Sequence, residues 1–190
     1  MSINLSKGER INLSKEAPGM KKAGIGLGWD VNQTDTGSGF DLDASVFMLA
    51  ANGKIPNDKY FIFYNNLESP DGSVKSLGDS LTGEGSGDDE TIEIDLSKVE
   101  ASVQEIVFVV TIHESETRKQ NFGQVRNSFI RIYDNATEKQ VAKYDLEEDF
   151  SLETAIEFGR LYKKDGEWRF QAVGQGYNSG LQGFVEKYGS

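Results

Sequence analysis

Apolar and polar residues alternate with a period of two along most of this chain, the spacing of strands that wet one face and bury the other. The pattern is clearest at Phe40, Leu42, Ala44, Val46 and Met48, at Ile92, Ile94 and Leu96, and at Trp168, Phe170 and Ala172. Two segments depart from it. Lys59 to Tyr64 and Val103 to Ile112 are apolar or aromatic on nearly both faces, which predicts central strands of a packed sheet. Gly24 to Asp30, Phe129 to Tyr133, Gln140 to Leu146 and Glu157 to Tyr162 complete the set, with Asn52-Gly53 and Asp165-Gly166 among the turn signals between them.

Helix is scarce: His113 to Asn121 has room for two or three turns, and Leu181 to Tyr188 for a terminal helix. Many short strands at this spacing, with no Pro/Ser-rich linker, predict an all-β chain built as a two-sheet β-sandwich, one domain over residues 1–190. The opening echo, Ile3-Asn4-Leu5-Ser6-Lys7 and Ile11-Asn12-Leu13-Ser14-Lys15, reads as a pair of strand segments with matching alternation, since a solenoid needs more copies.

Charge changes this picture. The 190 residues carry 20 basic and 31 acidic side chains, a formal charge of −11. Residues 30–95 alone hold 14 acidic and 3 basic side chains, so the whole excess sits in the middle third. A bare nucleic acid or an anionic membrane surface is repelled by such a chain, and cations are the better partners. The longest oily run, Ile106 to Ile112, is too short to span a bilayer, and the first residues contain no apolar leader core, so a cytoplasmic protein without membrane insertion is expected.

The acids are arranged rather than scattered. In Phe40-Asp41-Leu42-Asp43 two carboxylates two residues apart point to one face of a strand, and they repel unless a cation lies between them. Between Glu68 and Asp95 there are nine acids against the single Lys75, interleaved with glycines from Gly78 to Gly87 that allow close backbone approach. Cysteine is absent, which removes thiolate ligands and cysteine nucleophiles together. Oxygen donors without thiolate or imidazole select Ca²⁺ or Mg²⁺, and flexible glycine-rich loops favour Ca²⁺. Asp41, Asp43, Asp71, Asp79, Glu84, Asp88, Asp89 and Glu90 supply enough oxygens for two ions, with Asp30 and Asn66 as additions. The EF-hand pattern has no match, so such a site is built from separate segments.

Other motifs carry less. Gly78 to Gly83 has phosphate-loop spacing, but Glu84 stands where the lysine belongs and repels phosphate. The glycines of Gly24-Ile25-Gly26-Leu27-Gly28 read as strand packing, because no helix follows them. No nucleophile or proton shuttle accompanies the acids, so a non-catalytic Ca²⁺-dependent interaction module is the expected function. The alternative is a Ca²⁺-dependent enzyme, or a ligand-binding protein for a phosphorylated or sugar substrate.

Several motifs occur together and in order: Gly28-Trp29-Asp30, Phe40 to Phe47, Phe63-Tyr64-Asn65-Asn66, the loop from Gly78 to Glu90, Phe122 to Asn127, Tyr144-Asp145-Leu146 and Gly166 to Phe170. In this the chain resembles the TerD family of bacterial tellurite-resistance and stress proteins over nearly its whole length. The resemblance implies a cytoplasmic β-sandwich with two Ca²⁺ in acidic loops at one end, and a role in tolerance of tellurite, phage and colicins. It also implies association with other tellurite-operon proteins, an integral membrane partner among them. The family's acidic motif falls on Asp41, Asp43, Asp79, Glu84, Asp88, Asp89 and Glu90. One departure is Gly78-Asp79-Ser80, where the family reads Gly-Asp-Asn, so a hydroxyl replaces a carboxamide carbonyl.

Overall fold

The alternating segments pair into two six-stranded sheets in a computed structural model that describes residues 3–31, 42–63, 65–79, 90–112, 125–146, 153–178 and 180–189. The strands are β1 (Ile3–Leu5), β2 (Arg10–Asn12), β3 (Lys22–Val31), β4 (Leu42–Ala50), β5 (Phe61–Ile62), β6 (Val74–Asp79), β7 (Glu90–Asp95), β8 (Val103–Ile112), β9 (Val125–Asp134), β10 (Gln140–Asp145), β11 (Ala155–Lys164) and β12 (Glu167–Tyr177). Helix is confined, among the described residues, to α1 (Leu13–Glu16), α2 (Gly180–Tyr188) and a 3₁₀ turn at Asp58–Tyr60. Sheet A runs β1-β10-β9-β3-β7-β6 and sheet B runs β2-β12-β11-β8-β4-β5. Every pairing is antiparallel except β1 with β10. The predicted two-sheet β-sandwich is thus the observed fold.

Alternation decides which side chains meet. Ala23, Ile25 and Leu27 of β3, Ile92 and Ile94 of β7, and Ile130 and Ile132 of β9 are buried in sheet A. Val46 and Met48 of β4, Ile106, Phe108 and Val110 of β8, Leu161 and Phe170 answer them from sheet B. Burying a side chain of this size stabilises the fold by about 1.5–3 kcal/mol.

β8 is apolar on both faces because its outer face is covered too. Helix α2 lies over sheet B, where Phe184 and Tyr188 pack on Phe47, with ring centroids 6.2 and 5.3 Å away. The Tyr188 hydroxyl donates to the buried Glu157 carboxylate, and Ile55 N–H donates to the Tyr188 carbonyl at 2.8 Å, so the end of the helix is held from two sides.

Two expectations are corrected. Lys59 to Tyr64 does not form a central strand: Asn57 caps the 3₁₀ turn through Lys59 N–H (2.9 Å), leaving the two-residue β5 at the edge of sheet B. Its apolar character has another cause, since Phe61 stacks between Phe47 and Phe63 at 4.5 Å from each. The opening echo does give two strand segments, β1 in sheet A and β2 in sheet B, but the alternation does not continue in the second copy, which turns helical at Leu13. The segment His113 to Asn121 lies outside the described residues.

Candidate metal centre

Strand direction gathers the acids of the middle third. β6 ends at Asp79 and β7 begins at Glu90, and these two residues are in register. Glu90 is also in register with Leu27 of β3, the strand that runs on past it to Asp30 and Val31. The adjacent strands β6, β7 and β3 therefore bring Asp79, Glu90 and Asp30 to one end of sheet A. Bulges at Ser76/Asp79 and at Gly28/Asp30 interrupt the ladder there, the irregularity by which strand ends redirect side chains.

Sheet B reaches the same end through β4, whose first residues Leu42 and Asp43 pair with Ile112 and Thr111. A hydrogen bond ties the two sheets there: Ala44 N–H donates to Glu90 Oε2 at 2.7 Å. Glu90 shares the parity of Ile92 and Ile94, so it approaches β4 from between the sheets, and it is 6% exposed. Asp43 projects from the other face of β4, the face it shares with Thr111 and Ser45, and is half-buried. Acidic groups thus stand on both sides of the first residues of β4.

The remaining candidates divide into three. Asp41, Glu84, Asp88 and Asp89 lie outside the described residues, in connections that leave and rejoin the sandwich at this end, from Val31 to Leu42 and from Asp79 to Glu90. Asn66 closes a loop, its amide nitrogen donating to the Lys59 and Phe61 carbonyls at 3.0 and 2.8 Å. Asp71 is misplaced by sequence reading, since β6 separates it from Asp79 by its own length, roughly 17 Å at a strand's rise per residue.

The carboxylate of Asp71 is engaged by four hydrogen bonds where it stands. Oδ1 accepts from Ser69 Oγ (2.6 Å), Ser73 N–H (2.9 Å) and Ser73 Oγ (2.6 Å), and Oδ2 accepts from Glu100 N–H (2.9 Å). Burial pushes this carboxyl up, but those bonds outweigh burial and hold it below the usual carboxylate range. Ser69-Pro70-Asp71-Gly72-Ser73 is a turn, with Gly72 at φ +72°, and that turn chemistry was the signal that separated Asp71 from the acidic loop. Sequence reasoning missed the Ala44 N–H as the anchor of Glu90, because a backbone donor leaves no side-chain signal.

Among the described residues no three carboxylate or imidazole side chains are gathered as a metal site requires. The described part of the site is a frame: hard oxygen donors at adjacent strand ends, one of them buried and fixed by a backbone bond. No helix among the described residues is long and apolar enough to cross a membrane.

Fold and site together define a two-sheet β-sandwich with an acidic end assembled from both sheets. The chain belongs to the TerD family, since the TerD domain matches residues 1–188. It is 56% identical over 189 residues to the tellurium resistance protein TerD of Serratia marcescens, covering 100% of this chain and 98% of that protein. It is 52% identical to general stress protein 16U of Bacillus subtilis (strain 168), with the same coverage. A crystal structure of a homologue of telluride resistance protein (TerD) from Streptomyces coelicolor A3(2) shares the fold, with a TM-score of 0.70 at 23% identity, covering 88% of this chain and 96% of that one.

Proposed function

We propose that this chain is a calcium-binding stress protein of the tellurite-resistance type, acting in the cytoplasm as a non-catalytic, Ca²⁺-dependent interaction module. The observation that carries the reading is the convergence of Asp30, Asp79 and Glu90 at adjacent strand ends of sheet A, with Glu90 bonded across to β4 one residue from Asp43. Acidic residues placed at one end of the sandwich make that end a favourable place for a cation, which lowers their mutual repulsion. Asp41, Glu84, Asp88 and Asp89 sit in the two connections that begin and end here, and they would complete the oxygen shells of two ions, each taking about 6–8 donors.

Bound Ca²⁺ would supply positive charge at this end, where Asp30, Asp79 and Glu90 of sheet A and Asp43 of sheet B are placed. The neutralised end then becomes a surface that other tellurite-operon proteins, an integral membrane partner included, can approach. The name of the Serratia marcescens relative supports tellurite tolerance as the setting, and that of the Bacillus subtilis relative supports general stress. Calorimetric titration of chelator-treated protein with Ca²⁺ tests the reading. Saturable heat and a raised melting temperature are expected, because a ligand bound by the native state alone must stabilise it, and the absence of both overturns the proposal.

A further inference from the structure

Away from the acidic end, the outer face of sheet B collects arginines. Arg10 of β2 is in register with Gln171 of β12, and Gln171 with Arg160 of β11. Arg169, two residues before Gln171 on the same face, is in register with Asn12 on one side and Tyr162 on the other. The opposite face of these strands is core, with Trp168, Phe170, Ala172 and Leu161 buried, so the three arginines project outward together. Diagonal neighbours in a sheet stand about 7–8 Å apart, well within the reach of arginine side chains.

Like charges on one sheet face repel one another unless something answers them. The acids on this face answer only in part, since Glu157, three residues before Arg160 on β11, is engaged by the Tyr188 hydroxyl. Glu105 stands 3.8 Å from Arg160, a charge contact without hydrogen-bond geometry, and Glu167 accepts the Asn12 amide at 2.7 Å. Arg169 meets no carboxylate among the described residues, and the Nε atoms of Arg160 and Arg169 are both buried with no hydrogen-bond partner. The Arg10 guanidinium is steadied 5.9 Å above the Tyr162 ring. In a chain of net charge −11, three arginines thus share one outward sheet face, two of them with a buried Nε that lacks a hydrogen-bond partner.

We propose that Arg10, Arg160 and Arg169, with the Gln171 amide among them, bind a soluble small molecule bearing a phosphate or diphosphate group. Guanidinium forks match phosphate oxygens two at a time, which a lysine cluster does not do. A small ligand fits better than a nucleic acid or a membrane, because the rest of the molecule repels an extended polyanion. This proposal is independent of the calcium reading.

The test is titration of the full chain with inorganic pyrophosphate in EDTA and about 0.1 M salt, conditions that remove bound Ca²⁺ from the question and suppress weak surface association. Saturable shifts of the Gln171 and Tyr162 amide resonances are expected. Arg169→Gln should weaken binding by about tenfold or more, Arg160→Gln similarly, and Arg169→Lys less, because charge survives while the fork is lost. Lys139→Gln, in the β9–β10 turn, should leave the affinity unchanged. Melting temperatures of the free variants separate misfolding from lost affinity, and pyrophosphate should raise that of the parent chain but not that of Arg169→Gln. No saturation up to about 10 mM, equal affinity in the arginine variants, or binding confined to phosphatidate vesicles would overturn the proposal.

Discussion

Glu90 in sheet A accepts the backbone N–H of Ala44 in sheet B, and this 2.7 Å bond joins the two halves of the sandwich one residue from Asp43. Its carboxylate therefore has a structural partner before any ion arrives, which separates two substitutions. Glu90→Gln keeps an acceptor for Ala44 N–H, so the metal-free protein should melt within a few degrees of the parent while the stabilisation by Ca²⁺ falls sharply. Glu90→Ala strands a buried donor and should cost about 1–3 kcal/mol even in chelator. Denaturant unfolding of both variants with and without Ca²⁺ checks this, and equal Ca²⁺ responses in Glu90→Gln and the parent would count against the site.

Asp71 separates acid stability from metal binding. Its folded carboxyl lies below the usual range, as does that of Asp95, which accepts the Ser97 hydroxyl and N–H. A carboxyl depressed on folding contributes stability that is present above its unfolded pKa, near 3.9, and lost as pH falls through the folded value. Stability should therefore drop below about pH 4, less steeply in Asp71→Asn, with Ca²⁺ affinity at neutral pH unchanged. A large fall in that affinity would show that the turn at Ser69–Ser73 is coupled to the acidic end.

How far the sequence could be read follows from what each signal measures. Val103 to Ile112 was legible as a central strand because ten residues apolar on both faces have few other places to go, and β8 lies between β11 and β4. The same reasoning misplaced Lys59 to Tyr64, since apolar faces report burial and not what does the burying, here stacked phenyl rings at a sheet edge. Acid density likewise drew Asp71 in with Asp79, although a carboxylate beside Ser69 and Ser73 is satisfied locally. Strand direction, which decides that Asp30, Asp43, Asp79 and Glu90 share one end, is a long-range property that no local pattern encodes.

Helix α2 depends on Phe184, which is 1% exposed and packs edge-on against Tyr177 at 4.8 Å. Phe184→Ala removes the ring that holds the helix to sheet B and should destabilise the protein by about 3–5 kcal/mol. Amide hydrogen exchange should quicken first in residues 180–189 and in the outward positions of β4 and β8 beneath them. Unchanged protection there would show that the Ile55 and Glu157 contacts with Tyr188 suffice to dock the helix.

The pairing of Tyr188 with Glu157 sets behaviour at high pH. Burial pushes the Tyr188 phenol far up, and the Glu157 charge and hydrogen bond add to it. The hydrogen bond to Glu100 is the chief reason that Tyr60 is pushed up to about 12. For both groups the folded pKa exceeds the unfolded value near 10, so their contribution is intact below about pH 10. Above it the unfolded chain releases protons that the native state retains, and stability falls with a slope approaching one proton per tyrosine. The Tyr60 share should be exhausted near pH 12 and the Tyr188 share should persist beyond it. Tyr188→Phe should therefore lower stability at neutral pH by about 1–3 kcal/mol, because Glu157 loses its buried donor, yet flatten the alkaline decline. Denaturant midpoints measured from about pH 9 to 12 on the parent, Tyr188→Phe and Tyr60→Phe/Tyr188→Phe should give successively shallower slopes, and a slope unchanged in the double variant would mean that other groups drive the loss.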